Sequence, residues 1–125
     1  MQTVMLFTGA ILPIFWGIAH LFPKRAIVRG FGDVSIDNRR IIYMEWIIEG
    51  ITLIFIGMLV LLTTLLDKES VASAIIYWAS IVMLNALTVI SFFTGFKIRF
   101  LPFKLCPAIF TTSSLFILIS AVKIG

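Results

Sequence analysis

Four long apolar runs, at roughly 3–22, 39–66, 70–95 and 103–122, constrain this chain more than any other feature of its sequence. Each run has the roughly 20 mostly apolar residues that an α-helix needs to cross about 30 Å of hydrocarbon. A backbone in lipid must satisfy its own hydrogen bonds, and the alternating pattern of a barrel strand is absent. The runs therefore predict an all-α, polytopic membrane protein: a bundle of four transmembrane helices forming one domain over residues 1–125.

The composition excludes an ordinary soluble domain. Hydrophobic residues make up 61% of the chain and charged residues 13%, whereas soluble domains are about 25% charged. The net charge of +4 comes from Lys and Arg residues that flank the apolar runs. This placement is typical of contacts with lipid headgroups, so we expect membrane lipids as partners and no nucleic acid.

The distribution of basic residues predicts the orientation. All of the ten Lys and Arg residues except Lys68 and Lys123 lie in or beside the loops 23–38 and 95–102. The positive-inside rule places these two loops in the cytoplasm and both termini outside. The expected location is a bacterial inner membrane or an equivalent membrane.

Three ionisable residues lie within the predicted spans: His20, Glu45 and Glu49. A central charge such as Asp, Lys or Arg costs about 2.5–3.5 kcal/mol in a spanning helix, so such residues face the bundle and mark functional sites by default. Glu45 and Glu49 are one helical turn apart, and two carboxylates that close cannot easily both ionise in a low dielectric. We predict these three side chains as the groups that handle protons or catalysis.

Further polar side chains occur at similar depth in the other spans. The candidates for ligand contact are Asn85, Trp46, Thr111, Ser114 and Thr88. Together with His20, Glu45 and Glu49 they predict one shared polar pocket near the cytoplasmic side of the bundle.

Each of these residues also has a purely structural interpretation. One glutamate can pair with His20 and the other with a hydroxyl, Asn85 can join helices, and Trp46 can be an interfacial anchor. Cys106 is the single cysteine, so no intrachain disulfide can form, and a small buried hydrophobe is its expected role. One imidazole and two carboxylates without a Glu-x-x-His pair do not predict a metal site, and no motif indicates a cofactor.

A family resemblance lies in residues 14–60. It is carried by the sequence GIAHLFP at 17–23, by Gly30-Phe31-Gly32, and by Arg39-Arg40 leading into Glu45-Trp46 and Glu49-Gly50. This layout is similar to that of small DoxX-like membrane proteins. The resemblance implies a four-helix bundle of this length, and some members are linked to quinone-coupled oxidation of sulfur compounds. His20 and the two glutamates are not carried over from that family.

The leading functional hypothesis is a membrane protein whose pocket binds a lipid-like or quinone-like molecule, with a role as an accessory subunit among the options. An enzyme that performs acid/base chemistry on a hydrophobic substrate, of isomerase or oxidoreductase type, is the first alternative. Transport of protons or small solutes by a homo-oligomer is the second, and a structural role in a larger membrane complex is the third. Whether the chain is an enzyme stays open.

Overall fold

The computed structural model describes residues 1–22, 24–95 and 97–124, without the side chain of Lys24. These residues form α1 (Gln2–Leu21), α2 (Lys24–Gly30), α3 (Ile36–Asp67), α4 (Val71–Ile90) and α5 (Leu101–Ile124), and α4 continues into a π-helical turn, Ser91–Gly95. Four helices are long and apolar enough to cross a membrane: α1, α3, α4 with its π turn, and α5. Within the described ranges there is no strand. The predicted all-α bundle of four transmembrane helices is confirmed.

The four spans form an antiparallel bundle in which α1 packs on α3 and α5, and α4 packs on the same two helices. The core is built from apolar side chains of all four spans, including Leu6, Leu53, Leu84 and Phe110, each fully buried. We call the end of the bundle that carries residues 24–35 and 97–100 the basic end, because most of the Lys and Arg residues lie there.

The contact between α1 and α3 is a backbone contact. A Cβ atom added to Gly17 would lie 2.5 Å from the carbonyl oxygen of Gly50, and one on Gly57 would lie 2.5 Å from that of Ala10. Ala10 and Gly17 are seven residues apart in α1, and Gly50 and Gly57 are seven residues apart in α3. The two helices therefore meet in antiparallel register at both contacts. Small residues let helix backbones approach closely in lipid, where dispersion contacts and hydrogen bonds replace the hydrophobic effect.

Pro13 creates a polar link between α1 and α5. Because proline has no N–H, the carbonyl of Gly9, four residues earlier, loses its partner within the helix. The Ser113 hydroxyl of α5 donates a hydrogen bond to this carbonyl. Gly9 permits the approach, since a Cβ there would lie 2.8 Å from Ile117. Gly9, Pro13 and Gly17 are all buried and lie one turn apart along α1, and this face packs against two neighbouring helices.

Short polar caps begin two of the spans. Ser35 accepts a hydrogen bond from the Asn38 backbone at 3.2 Å, and α3 therefore begins at Ile36, earlier than the predicted residue 39. Ser70 caps α4 by accepting from the Ser73 backbone at 3.1 Å. Hydroxyls at this far end also bond within their own helix, as Thr63 does to the Leu59 carbonyl at 2.7 Å.

The first connection differs from the sequence prediction. Residues 23–38 were expected to be a loop, but Lys24–Gly30 form a helix whose Ile27 and Val28 are buried. Pro23 lies outside the described residues. The helix ends in a turn in which the Phe31 N–H bonds the Val28 carbonyl, and Gly32 follows with φ of 73°. Such a left-handed conformation favours glycine, which explains the glycine at this position.

We expect Gly50→Ala to destabilise the bundle. Its Cβ would lie 2.8 Å from the Gly17 carbonyl oxygen and 3.1 Å from the His20 Cβ, and overpacking of this kind costs about 1–3 kcal/mol. Gly30→Ala is the matched control because nothing lies near its added Cβ. Thermal unfolding in detergent, followed by circular dichroism, checks the difference. Equal midpoints for the two variants would contradict the close contact.

We also expect the cost of Ser113→Ala to depend on Pro13. A hydrogen bond between membrane helices contributes about 0.6–1.7 kcal/mol. In a Pro13→Ala background, the restored N–H of residue 13 can satisfy the Gly9 carbonyl, so removing the Ser113 hydroxyl should cost less. A double-mutant cycle of unfolding free energies measures this coupling. Thr112→Ala, which removes a hydroxyl bonded to Ala108 of its own helix, should show no coupling to Pro13.

Candidate functional site

Three chemically active side chains from three helices meet near the basic end. They are His20 in the last turn of α1, Glu49 in α3 and Cys106 in α5. One potential donor atom from each lies within 4.8 Å of the other two. We call these three residues the His-Glu-Cys cluster.

The imidazole of His20 is held in one orientation. Its Nδ1 lies 2.7 Å from the backbone carbonyl oxygen of Trp16, one turn earlier in α1. A carbonyl oxygen can only accept a hydrogen bond, so Nδ1 carries the proton. In the neutral ring the lone pair is therefore on Nε2. This nitrogen is buried, the residue is only 2% exposed, and no hydrogen-bond partner of Nε2 lies within the described chain.

The nearest charged group to His20 Nε2 is the Glu49 carboxylate, with Oε1 at 3.6 Å. This distance is longer than a hydrogen bond, which spans about 2.7–3.2 Å between N and O. A lone pair facing an ionised carboxylate is repulsive. The pair therefore requires a proton on Nε2 or on Glu49, or a cation between the two atoms. Glu49 is half-buried, with its side chain 35% exposed, so it links the histidine to the outside of the bundle.

Aromatic rings enclose the histidine. Trp46 stacks on the imidazole with ring centroids 4.5 Å apart, and Trp16 meets it edge-on at 5.5 Å. Gly50 provides the space, because a side chain there would press on the His20 Cβ. Trp46 is buried instead of lying at an interface as an anchor, and its indole Nε1 finds no acceptor among the described residues.

Cys106 is buried, and its sulfur accepts a hydrogen bond. The Trp16 indole N–H donates a hydrogen bond to Sγ at 3.2 Å. Trp16 thus positions two members of the cluster, holding His20 through its carbonyl and Cys106 through its ring.

A cleft of about 200 Å³ opens beside the cluster. Its polar lining includes Glu49, Cys106, Ser91 and Thr94, and the remaining lining is Trp46, Leu87, Ile90, Gly95 and Phe103. The π turn Ser91–Gly95 forms one wall. Single π turns inside α-helices occur frequently at functional sites.

The structure divides the predicted polar residues between two places. His20, Glu49 and Trp46 meet at the cluster, whereas Glu45 is exposed although it lies one turn from Glu49. The other predicted ligand contacts join α4 to α5. Asn85 donates to the Ser114 hydroxyl at 2.7 Å, and Thr111 donates to Thr88 at 3.5 Å. Within the described ranges, no hydrogen bond joins this second group to His20 or Glu49.

Sequence reasoning missed Cys106 and Trp16 as members of the site. Trp16 precedes His20 by four residues, and this spacing places both on one face of α1. That signal was present in the sequence. The rotation of α5, which turns Cys106 toward α1, had no such signal, because its apolar residues surround the helix.

No family model, curated protein or solved structure matches this chain. What the fold establishes is a small four-helix membrane protein.

We expect the single histidine to report the site geometry directly. Nitrogen NMR of histidine-labelled protein should show a protonated Nδ1, because that atom donates to the Trp16 carbonyl. Glu49→Gln should change the Nε2 resonance, whereas Glu45→Gln, at an exposed position, should leave it unchanged. A tautomer protonated only on Nε2 would contradict the arrangement.

Proposed function

We propose that the cleft binds the polar head group of an amphiphilic membrane molecule, either lipid-like or quinone-like, whose tail stays in the lipid. One observation carries this proposal: the buried indole Nε1 of Trp46 lacks a hydrogen-bond partner within the described residues, and Trp46 lines the cleft beside the half-buried carboxylate of Glu49. Buried polar groups in proteins are nearly always satisfied, so each unsatisfied one calls for a partner outside the described chain. A bound head group supplies that partner.

The dimensions of the cleft support a head group more than a whole ligand. Its volume of about 200 Å³ is below the ~300–1,000 Å³ of sites that enclose drug-sized molecules. The lining combines four polar residues with aromatic and aliphatic ones, as small-molecule sites usually do.

The chemistry of the lining favours a head group with a carbonyl or hydroxyl oxygen. The Trp46 indole can only donate a hydrogen bond, so it requires an acceptor. Glu49 can donate or accept according to its protonation. A quinone-like ring carries such oxygens and an apolar body, and the resemblance to DoxX-like proteins points to the same class of molecule.

The setting we propose is a bacterial inner membrane or its equivalent. The basic end faces the cytoplasm and both termini face outward, as the positive-inside rule predicts. The cleft then lies in the cytoplasmic half of the bilayer.

Acid/base catalysis on the bound molecule is the second candidate, favoured by the geometry of His20 and Glu49. The pair needs one proton or cation between Nε2 and Oε1, and Glu49 lines the cleft where a substrate would lie. A proton moved between this carboxyl and a substrate suits isomerisation of a double bond, which requires no further cofactor. Formation of a product separates catalysis from binding alone.

Native mass spectrometry of gently solubilised protein tests the binding proposal. We expect the wild type to retain an amphiphilic molecule, with lower occupancy in Glu49→Gln because the carboxylate contact is lost. Glu45→Gln is the matched control and should retain wild-type occupancy. Ser91→Phe, which fills the cleft and keeps the His-Glu-Cys cluster intact, should also empty it.

Two results would overturn this proposal. One is that all variants, including the wild type, are empty. The other is that all carry the same mixture of bulk lipids in the same amounts.

A further inference from the structure

We propose that the His-Glu-Cys cluster is a binding site for a zinc-type divalent transition metal ion. Its ligands would be His20 Nε2, a Glu49 carboxylate oxygen and Cys106 Sγ. This site does not depend on the amphiphile proposed above, because all three ligands belong to the chain.

The distances fit such an ion with a small contraction. Tetrahedral zinc with nitrogen, oxygen and sulfur ligands at about 2.0–2.3 Å places those ligands roughly 3.4–3.6 Å apart. His20 Nε2 and Glu49 Oε1 already lie 3.6 Å apart. All three donor atoms lie within 4.8 Å of one another, so a rotamer adjustment of Glu49 or Cys106 closes the site.

His20 has the ring orientation that is usual for a metal ligand. Metal-binding histidines almost always donate their second ring N–H to a carbonyl or carboxylate, which fixes the ring. His20 does this through Nδ1 to the Trp16 carbonyl. Its Nε2 lone pair faces the carboxylate without a hydrogen bond, although the residue is buried. A cation between these two atoms would be coordinated by both of them.

Charge balance favours the ion within the membrane. A divalent ion bound by one thiolate and one carboxylate, with a neutral imidazole, forms a group with no net charge. Separate charges are expensive in the hydrocarbon region, whereas this group shields them from one another. The free thiol gives up its proton to solvent on binding, and its sulfur donates a lone pair to the metal. We therefore expect affinity to fall as the pH falls.

The ligand types select the class of metal. A soft thiolate with an imidazole suits zinc and related ions, whereas magnesium and calcium prefer oxygen ligands. Three protein ligands leave one tetrahedral position free, which is the pattern of catalytic zinc sites. Glu49 and Cys106 both line the cleft, so the free position can face it.

Cobalt titration of the purified, metal-free full chain tests the site, because Co²⁺ substitutes for zinc and absorbs light. We expect one ion per chain and a sulfur-to-cobalt charge-transfer band. Zn²⁺ should displace the cobalt, and Mg²⁺ and Ca²⁺ should not. The chain has one cysteine and one histidine, so the band and the histidine NMR signals each report a single residue.

Substitutions assign the ligands. Cys106→Ala should abolish the charge-transfer band, and His20→Gln and Glu49→Gln should each weaken binding by about 100-fold or more. Trp16→Phe removes the N–H donated to Sγ and should weaken binding by about 10–100-fold, the usual effect of losing a supporting hydrogen bond. Glu45→Gln is the matched control and should bind like the wild type.

Folding is checked separately, by circular dichroism and size-exclusion profile of each metal-free variant. Cys106→Ser serves as a second, nearly isosteric variant in case Cys106→Ala fails to fold. The proposal is overturned if folded wild-type protein binds no cobalt. It is equally overturned if folded variants of Cys106, His20 and Glu49 bind cobalt as well as the wild type does. Wild-type protein that binds cobalt but retains no amphiphile would overturn the proposed function and support the metal site.

Discussion

The close contact between the backbones of Gly17 and Gly50 is the constraint on which the rest of the structure depends. It sets the register of α1 against α3, and this register brings His20 to Glu49. A shift of either helix along its axis would replace the glycine at the contact with a residue that has a side chain. The glycine that follows Glu49 thus makes room for the imidazole that faces Glu49. Packing and chemistry share the same few positions, so a substitution in one affects the other.

The membrane explains why polar groups in this bundle are found in pairs. With no water in the hydrocarbon region, each freed carbonyl or side-chain donor must find a partner in the protein. The Gly9 carbonyl freed by Pro13 finds Ser113, and Asn85 finds Ser114. The two unsatisfied buried nitrogens, on His20 and Trp46, are therefore exceptions to a rule that the other paired groups follow.

The sequence predicted the spans well, because hydropathy over about 20 residues is set by the bilayer and not by the details of packing. It also predicted that His20 and Glu49 face the interior, because an isolated charge in lipid is costly. Helix rotation was harder to predict. Glu45 is a glutamate one turn from Glu49 in the same helix, yet it is exposed. Cys106 belongs to the site on a helix whose apolar residues are spread around its whole circumference. The position of such a helix follows from contacts with its neighbours, which no local pattern encodes.

The shape of the cleft depends on the number of residues in the π turn Ser91–Gly95. An α-helix turns by about 100° per residue, so shortening this turn by one residue to regular α-helix would rotate everything beyond it by that amount. A Cβ added to Gly95 would lie 3.3 Å from the Phe103 carbonyl oxygen, so Gly95 packs closely on α5. After such a rotation Gly95 would no longer contact α5, and this wall of the cleft would turn away from Cys106. Insertions and deletions in this segment, more than substitutions, would therefore decide whether related chains keep an opening here.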